Sequence, residues 1–285
     1  MKASRLLAEG VAALKRSKAI DHWQRGREAI EAEELLLWAI RGDEYDPHEE
    51  FGPAVERTFR GYIRRRAAGE PVQLITGFTE FRGLEVFVAP GVFVPRDSSE
   101  FLAEQCVRRL RTRENPVFVE LACGAGAVSL AVRNETWGTT VYGADIAADA
   151  IRTARRSARS LRLRANFVVG DLYGGLPKRL KGSVDVIAIH PPYVAKGELR
   201  DLPIEIRGYE PPHTLSDRSV DGLGLLRRAA RGSHDWLRPG GWFLVEVSPD
   251  RSRAVAAVLR QEGLRDISIT KGGELKITRV VCAKR

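Results

Sequence analysis

The sequence contains little cysteine: Cys106, Cys123 and Cys282 are far apart in a chain of 285 residues. Three scattered cysteines exclude a disulfide-stapled scaffold and a cysteine-based zinc site, and they fit a reducing cytoplasm. No apolar run approaches the roughly 18 residues that a membrane-spanning helix needs. The first residues lead into a charged segment rather than an apolar signal core, so secretion is not expected. We therefore expect a cytoplasmic protein without a membrane partner.

Metal-ligand spacing is also lacking, because His22, His48, His213 and His234 stand far from one another and from the cysteines. We predict no metal site. The composition is that of an ordinary globular chain, with 44% hydrophobic and 29% charged residues. A length of 285 residues allows one large domain or two small ones.

Positive charge is concentrated in one part of the chain. The net charge is +9, yet acidic and basic residues balance over residues 1–115, so the whole excess lies in 116–285. Four arginines, Arg152, Arg155, Arg156 and Arg159, share one helical face by their spacing. This face is either a patch that binds nucleic acid or a solvated helix surface, and the lack of interleaved aromatic residues favours the second interpretation.

Hydropathy patterning divides the chain into two parts. Residues 1–66 have helical periodicity, clearest over 30–40 and 53–66, and residues 73–94 are typical of a short β-hairpin. After a helix at 99–111, short apolar strands alternate with helices, which predicts a parallel sheet covered on both faces. The strands are predicted at 117–121, 140–144, 166–169, 184–189 and 242–247, the later helices at 223–236 and 251–262, and a final antiparallel pair at 267–270 and 276–283.

A glycine-rich turn follows the first strand of this sheet. Gly124 and Gly126 would let the backbone approach a ligand closely, and Asp145 ends the next strand, where a carboxylate can bind ribose hydroxyls. A nicotinamide dinucleotide fingerprint would also need glycine at position 129, which is Ser129 here. The third strand is followed by Asp171.

The fourth strand runs directly into His190-Pro191-Pro192-Tyr193. Two proline residues with fixed φ make this turn stiff, so it would hold the Tyr193 ring and the carbonyl of residue 190 beside any ligand lying over the sheet. The alternative is a simple loop with a packed tyrosine.

With these features in order, the sequence resembles class I S-adenosylmethionine-dependent methyltransferases. More narrowly, it resembles the HemK/PrmC family, which methylates the side-chain amide nitrogen of glutamine in peptide-chain release factors. The resemblance also covers the segment 71–77 with Phe81 and Gly83, the segment 95–100, and the segment 209–223, and it extends over residues 30–283 in order.

The resemblance implies a Rossmann-like α/β catalytic domain (99–285), preceded by a helical substrate-binding domain (1–70) and a β-hairpin linker (71–98). It implies S-adenosyl-L-methionine as cofactor. The implied cofactor-binding residues are Glu120, Ala122, Gly124, Gly126, Asp145, Ile146, Asp171, Leu172 and His190. The implied acceptor slot has His190, Pro191, Pro192 and Tyr193 as catalytic residues, with Arg96, Glu100, Tyr193 and Glu210 binding the substrate.

The acceptor half departs from the family pattern. His190 stands where the family has asparagine, Ala122 replaces a glycine at little cost if its φ is negative, and Asp97-Ser98-Ser99 alters the slot rim. An asparagine oxygen can only accept a hydrogen bond, whereas a neutral imidazole can also take a proton. We leave open whether His190 mimics asparagine, acts as a base or only packs.

Methylation of glutamine in a release factor is the first functional hypothesis. The second is a small-molecule acceptor, or cyclisation of S-adenosylmethionine itself to a small cyclic amino acid with release of methylthioadenosine and His190 as base. The third is adenine-N6 methylation of nucleic acid, since similar slots hold flipped bases. A binding module without catalysis is the fourth. The sequence leaves the oligomeric state open.

Overall fold

A computed structural model describes residues 1–21, 26–272 and 278–285. His22 and positions 276–277 of the predicted last strand lie outside these residues. The described chain forms two compact units, one of Met1–Phe78 with Arg200–Glu210, the other of Thr79–Leu199 with Pro211–Arg285. The predicted division into domains 1–70, 71–98 and 99–285 stays a proposal. In the structure, residues 200–210 return to the first compact unit, which the sequence did not predict.

The first unit is helical. It contains α1 (Ala3–Lys15), α2 (Arg27–Ile40), α3 (Pro53–Ala67) and α4 (Val72–Thr76), and α8 (Ile204–Arg207) comes from the returning segment. Apolar positions at helical spacing on α1, α2 and α3 meet in one core, in which Leu6, Leu35 and Phe59 are almost completely buried.

An ion cluster fixes the returning segment within this unit. The Arg66 side chain is fully buried, and its guanidinium contacts Glu31 at 2.8 Å and Glu205 at 2.7 Å. Arg27 donates to the second oxygen of Glu205 at 2.9 Å. A buried arginine needs such charged partners, because loss of one would leave an uncompensated charge.

The second unit is built on a seven-stranded sheet preceded by a β-hairpin. The hairpin is β1 (Phe78–Phe81) and β2 (Leu84–Phe87). The sheet strands are β3 (Val117–Leu121), β4 (Thr140–Asp145), β5 (Asn166–Val169), β6 (Val184–Ile189), β7 (Leu237–Val247), β8 (Arg265–Gly272) and β9 (Thr278–Lys284). The helices are α5 (Ser99–Leu110), α6 (Ala127–Glu135), α7 (Ala148–Ser160), α9 (Pro212–Leu215), α10 (Gly224–Trp236) and α11 (Ser252–Gln261).

The strand order is β5-β4-β3-β6-β7-β9-β8. Neighbouring strands from β5 to β7 pair in parallel, and β9 pairs antiparallel with both β7 and β8. Two apolar cores cover the faces of the sheet, one of them including Leu102 of α5 and the other Leu226 of α10. The carboxyl ends of β3, β4, β5 and β6 therefore lie along one edge, where open parallel sheets bind ligands.

The predicted α/β class, with a mainly parallel sheet and an antiparallel C-terminal strand, is confirmed. Three of the predicted strands have the predicted ends, 117–121, 166–169 and 184–189. Two details were wrong. Residues 73–76 belong to α4 rather than to the hairpin, and the strand predicted to start at residue 242 starts at Leu237. Within the described residues, no helix combines the length and apolarity that crossing a membrane requires.

Candidate active site

The glycine-rich turn connects β3 to α6 beneath the carboxyl edge of the sheet. Gly126 has a φ of +79°, and a Cβ atom there would lie 2.7 Å from the Phe167 ring, so only glycine fits. Gly124 differs, because the nearest atom to a Cβ at that position is 4.0 Å away on Phe93. The turn is thus packed against the sheet at Gly126 and open at Gly124, where a ligand can approach the backbone.

Ala122 has a φ of +51°. Alanine in place of glycine would cost little here only if φ were negative, so the replacement is unfavourable. For a residue with a Cβ atom, the left-handed conformation costs about 1–2 kcal/mol. The chain therefore carries backbone strain immediately before the turn that the ligand would meet.

Asp145 joins the turn to the end of β4. One carboxylate oxygen accepts the backbone N–H of Gly124 at 2.8 Å, and the other accepts that of Ala147 at 2.8 Å. Each carboxylate oxygen has a second acceptor position, so both ribose hydroxyls can still be bound. Asp145 therefore fixes the shape of the turn and keeps the predicted capacity to bind ribose hydroxyls.

The remaining predicted cofactor residues differ in exposure. Ile146 is a large apolar side chain that is 66% exposed beside Asp145, as a flat adenine ring would require. Asp171 is half exposed, and its carboxylate accepts a hydrogen bond from Arg228 at 2.5 Å. The Leu172 side chain is buried in the apolar core, so its contribution at this edge is packing.

Glu120 is a buried carboxyl group near the end of β3. Its Oε2 accepts hydrogen bonds from the backbone N–H of Ser129 at 2.8 Å and from the Ser129 hydroxyl at 2.5 Å. Burial raises the pKa of Glu120 to about 8, and the negative charges of Asp145 and Glu246 add to the shift. Three carboxyl groups are thus close enough to interact, which suits a positively charged ligand.

The raised pKa of Glu120 predicts a pH-dependent stability. The folded protein holds this proton up to about pH 8, whereas the unfolded chain releases it near the ordinary value of 4.5. The stabilisation is therefore complete below pH 4.5 and is lost as the pH rises through 8. We expect wild type to lose about 2–3 kcal/mol of unfolding free energy between about pH 6 and pH 9 relative to Glu120→Gln, which has no proton to release.

Urea unfolding of both proteins without ligand at the two pH values measures this difference. Glu114→Gln removes an exposed carboxyl group and serves as the matched control. Parallel pH profiles for wild type and Glu120→Gln would show that Glu120 is already ionised at neutral pH.

His190 follows the last residue of β6 and faces a buried acid on β7. In the register of this parallel pair Ile189 is opposite Val245, which places His190 opposite Glu246. The Nδ1 atom of His190 lies 3.6 Å from Oε2 of Glu246, whose side chain is 3% exposed. Glu120 and His190 also project from the face of the sheet that carries α5, because side chains alternate along a strand.

The carboxylate of Glu246 is half satisfied by hydrogen bonds. Its Oε1 accepts the Ser98 hydroxyl at 2.8 Å, whereas Oε2 is buried and lacks a hydrogen-bond partner among the described residues. Ser99 Oγ lies 3.3 Å from Nδ1 of His190. A buried carboxylate oxygen without a donor is costly, and a proton on Nδ1 would lie between Ser99 Oγ and Oε2 of Glu246. In that tautomer the lone pair of His190 is on Nε2.

Aromatic rings fix the plane of the His190 imidazole. The ring stacks on Tyr193 with centroids 5.8 Å apart, and Phe93 packs against it edge-on at 5.6 Å. The Arg96 guanidinium lies over the Phe93 ring, 4.8 Å from its centroid. Burial raises the pKa of Tyr193, so its phenol stays protonated. Pro191 is buried and Pro192 half-buried, as the stiff turn requires.

The structure brings together most of the predicted acceptor residues and engages Glu100 in another contact of the second unit. His190, Tyr193 and Arg96 form one stacked group. Glu100, predicted to bind the substrate, accepts the backbone N–H of Arg82 at 2.7 Å in the hairpin turn. Glu210 is buried and belongs to the first compact unit.

Sequence reasoning placed Ser99 at the slot rim, where it lies beside His190, but it missed Glu246. A single acid within the apolar strand 242–247 was the available signal, since a buried carboxyl group requires a partner. What was missing was the register between β6 and β7, which alone shows that His190 is that partner.

Two family profiles match the chain between residues 5 and 204. The profile of the PrmC N-terminal domain matches residues 5–77, and that of the methyltransferase small domain matches residues 83–204. A release factor glutamine methyltransferase of Moorella thermoacetica is 34% identical over 242 residues, which span 83% of this chain and 84% of that protein. Its counterpart in Fusobacterium nucleatum is 33% identical over 226 residues, 78% of this chain but 62% of that protein.

A relative with another acceptor is equally similar in sequence. The 4-amino-L-phenylalanine/4-methylamino-L-phenylalanine methyltransferase of Streptomyces pristinaespiralis is 34% identical over 217 residues, which span 74% of this chain and 72% of that protein.

Solved structures share the fold at lower identity. A methyltransferase from Pyrococcus furiosus superposes with a TM-score of 0.52 at 16% identity, over 71% of this chain and 89% of that one. The 16S rRNA N2 G1207 methyltransferase of T. thermophilus, determined with AdoMet and guanosine, gives a TM-score of 0.51 at 18% identity, over 73% and 49%.

Proposed function

Because this chain belongs to the release factor glutamine methyltransferase family of S-adenosylmethionine-dependent enzymes, we propose that it methylates the side-chain amide nitrogen of a glutamine in a peptide-chain release factor. Membership confirms the predicted resemblance, the enzyme class and the cofactor. The proposal concerns the acceptor and the residues that handle it.

The carboxyl edge of the sheet fits S-adenosylmethionine. Gly124 is open to a ligand, Asp145 retains acceptor positions for the ribose, and Ile146 offers an exposed apolar surface for the adenine. The negative charges of Asp145 and Glu246, which both act on Glu120, favour a cationic group nearby. This cofactor supplies an electrophilic methyl group on a positively charged sulfur.

The pair His190–Glu246 is the observation that carries the mechanism. An amide nitrogen is a weak nucleophile, and it must lose one proton when it gains a methyl group. We assign to Nε2 of His190 the hydrogen bond from the acceptor N–H, and then the proton that leaves the nitrogen. Glu246, 3.6 Å from Nδ1, holds the imidazole in this orientation and stabilises the charge that it gains. Glu246 is thus a positioning residue.

The Tyr193 ring limits where an acceptor group can lie. It stacks on His190 at the stiff turn, and its main chain forms a bridge with Ser216. A side chain entering between the turn and the glycine-rich loop would therefore meet a fixed wall. A fixed wall favours a planar acceptor such as an amide, because the wall sets the orientation of the acceptor group before the reaction.

A protein acceptor is supported by the first compact unit. Residues 5–77 match the PrmC N-terminal domain, and this unit retains a well-packed core and the buried Arg66 cluster. A separate folded unit offers surface for contact with a protein acceptor beyond the glutamine itself.

Transfer of a deuterated methyl group tests the proposal. The enzyme is incubated with deuterated S-adenosylmethionine and each purified release factor, and the digested factor is analysed by tandem mass spectrometry. We expect one glutamine to carry one deuterated methyl group on its side-chain nitrogen, and a glutamine-to-glutamate variant of the factor to remain unlabelled. Release factors with every glutamine unmodified would overturn the proposal.

A small amine is the second candidate acceptor, favoured by His190 in place of asparagine and by the relative from Streptomyces pristinaespiralis. An amine binds as a cation and must lose a proton before attack, which a histidine can accept. Replacing the release factor by 4-amino-L-phenylalanine in the same assay compares kcat/KM for the two acceptors. The comparisons favour methyl transfer over the predicted cyclisation of S-adenosylmethionine.

A further inference from the structure

A tryptophan projects from the loop between α6 and β4. Trp137 is 98% exposed, although Thr136 and Thr139 on either side of it are almost completely buried. The Thr136 hydroxyl donates to the carbonyl of Val132 at 2.5 Å, and Gly138 turns the chain with a φ of +73°. Both ends of the loop are therefore anchored, and the fold holds the indole in solvent.

Three arginines surround this indole. Arg133, Arg162 and Arg164 line, with Trp137, a cavity of about 420 Å³. The Arg133 guanidinium donates to the main-chain carbonyls of Arg164 at 3.1 Å and Thr136 at 3.3 Å, which holds the two loops together. We call these four residues the Trp137 surface.

The positive charge of the Trp137 surface is not neutralised by acids. Across residues 1–21, 26–272 and 278–285, no carboxylate forms an ion pair with Arg133, Arg162 or Arg164. Glu135 also lines the cavity, but its carboxylate is bound by Arg82 and lies 3.9 Å from Arg111. The surface is therefore prepared for an anion with several charges.

Three of the four other arginines of residues 152–164 contact neighbouring residues of the chain. Arg152 pairs with Asp149, Arg155 donates to the carbonyl of Phe167, and Arg156 lies 3.7 Å from the centroid of the Phe87 ring. The structure thus assigns much of the basic helix face to packing.

The Trp137 surface lies at the edge of the sheet opposite to the cofactor site. Trp137 precedes the first residue of β4, and residues 162–164 precede the first residue of β5, whereas Asp145 and Gly170 follow the last residues of these strands. Because the two strands are parallel, their starts and ends lie at opposite edges. A ligand here would not occupy the cofactor site.

We propose that the Trp137 surface binds single-stranded RNA. A base stacks on the exposed indole, and Arg133, Arg162 and Arg164 bind the neighbouring phosphates. An aromatic platform beside positive charge is how proteins bind single strands with little sequence preference. A cavity of about 420 Å³ is large enough for a nucleotide. This proposal does not depend on the identity of the methyl acceptor.

RNA fits these residues better than an acidic protein segment. Phosphates recur at each nucleotide and alternate with flat rings, which matches cations placed around one indole. The carboxylates of an acidic segment would also pair with the guanidinium groups, but they bring no flat ring to stack on the indole.

Fluorescence polarisation with fluorescein-labelled oligouridine of 12 nucleotides tests the proposal on the full chain. We expect log Kd to change linearly with log salt concentration, with a slope of about 2 in magnitude if three phosphates are neutralised. Trp137→Ala should weaken binding by about 10-fold at each salt concentration, and Trp137→Phe by less. Arg162→Glu with Arg164→Glu should weaken binding and also reduce the slope.

Two controls make each outcome decisive. Arg253→Glu reverses an exposed charge on α11 and should change Kd by less than about 3-fold, and S-adenosylmethionine affinity shows that each variant is folded. Absence of oligouridine binding by wild type would overturn the proposal. Equal effects of Trp137→Ala and Arg253→Glu on Kd would also overturn it. A labelled oligoglutamate peptide that binds as tightly as oligouridine, with a Kd unchanged by Trp137→Ala, would do so as well.

Discussion

Replacement of His190 by alanine is expected to lower kcat for methyl transfer by about 10²–10⁴-fold, which is the contribution of a well-placed proton acceptor. The affinity for S-adenosylmethionine should change little, because the ribose and adenine are assigned to Asp145 and Ile146. Steady-state kinetics with a saturating acceptor, together with calorimetry of the cofactor, separate the two effects. His48→Ala removes an exposed imidazole from the other compact unit and should leave kcat unchanged.

Two further variants identify what His190 does. His190→Asn keeps a hydrogen-bond acceptor but cannot take a proton, so it should recover only part of the lost kcat. Glu246→Gln keeps a carbonyl oxygen toward Nδ1 while removing the charge. It should lower kcat by about 10-fold while leaving the affinity for S-adenosylmethionine unchanged.

Other charges near the stack would not produce this pattern. Arg96 and Asp250 act on Tyr193 together with Glu246, whereas the Glu246 carboxylate lies 3.6 Å from Nδ1 of His190. If Glu246 only supported the fold, Glu246→Gln would lower the free energy of unfolding and leave kcat of the folded enzyme unchanged. Full recovery of kcat in His190→Asn would contradict proton transfer and leave His190 as a substitute for asparagine.

Asp145→Ala is expected to weaken S-adenosylmethionine binding by about 100-fold or more. Hydrogen bonds to a charged group contribute about 1.5–3 kcal/mol each, and two ribose bonds would be lost. The N–H groups of Gly124 and Ala147 would also lose their acceptor, so the glycine-rich turn would no longer be held in shape. Calorimetric titration measures the dissociation constant directly.

Asp149→Ala is the matched control for this variant. Asp149 is an exposed acid in the first turn of the next helix and pairs with Arg152. Its removal should leave the dissociation constant within about 3-fold of wild type, since a surface ion pair contributes little. If Asp145→Ala bound the cofactor as well as Asp149→Ala does, the ribose would lie elsewhere.

The sequence predicted the part of the site that depends on strand ends. Gly126, Asp145 and His190 each follow or end an apolar run of strand length, and parallel strands bring such positions to one edge. The periodicity was strong because the strands are buried on both faces. Family resemblance then supplied the cofactor and the enzyme class.

Contacts between distant segments were not predictable from one sequence. The pairing of His190 with Glu246 depends on the register of β6 and β7, which no local pattern encodes. The positive φ of Ala122 is a similar case, because a residue with a Cβ atom is expected to avoid that conformation.

The returning segment shows the same limit. Glu205 reads as a surface acid in the sequence, yet it contacts Arg66, a fully buried arginine far away in the chain. Trp137 is the opposite case, since a tryptophan before a strand is usually read as core, and here it is 98% exposed.

The products formed from S-adenosylmethionine show whether the enzyme transfers a methyl group to the glutamine nitrogen. After incubation of the enzyme with this compound and a release factor, the nucleoside products and the methylated peptide are quantified in the same sample by mass spectrometry. We expect S-adenosylhomocysteine and N-methylated glutamine in equal amounts. Both products should be lost in Asp145→Ala and strongly reduced in His190→Ala. Methylthioadenosine as the main product, or S-adenosylhomocysteine formed without any methylated nitrogen, would contradict this expectation.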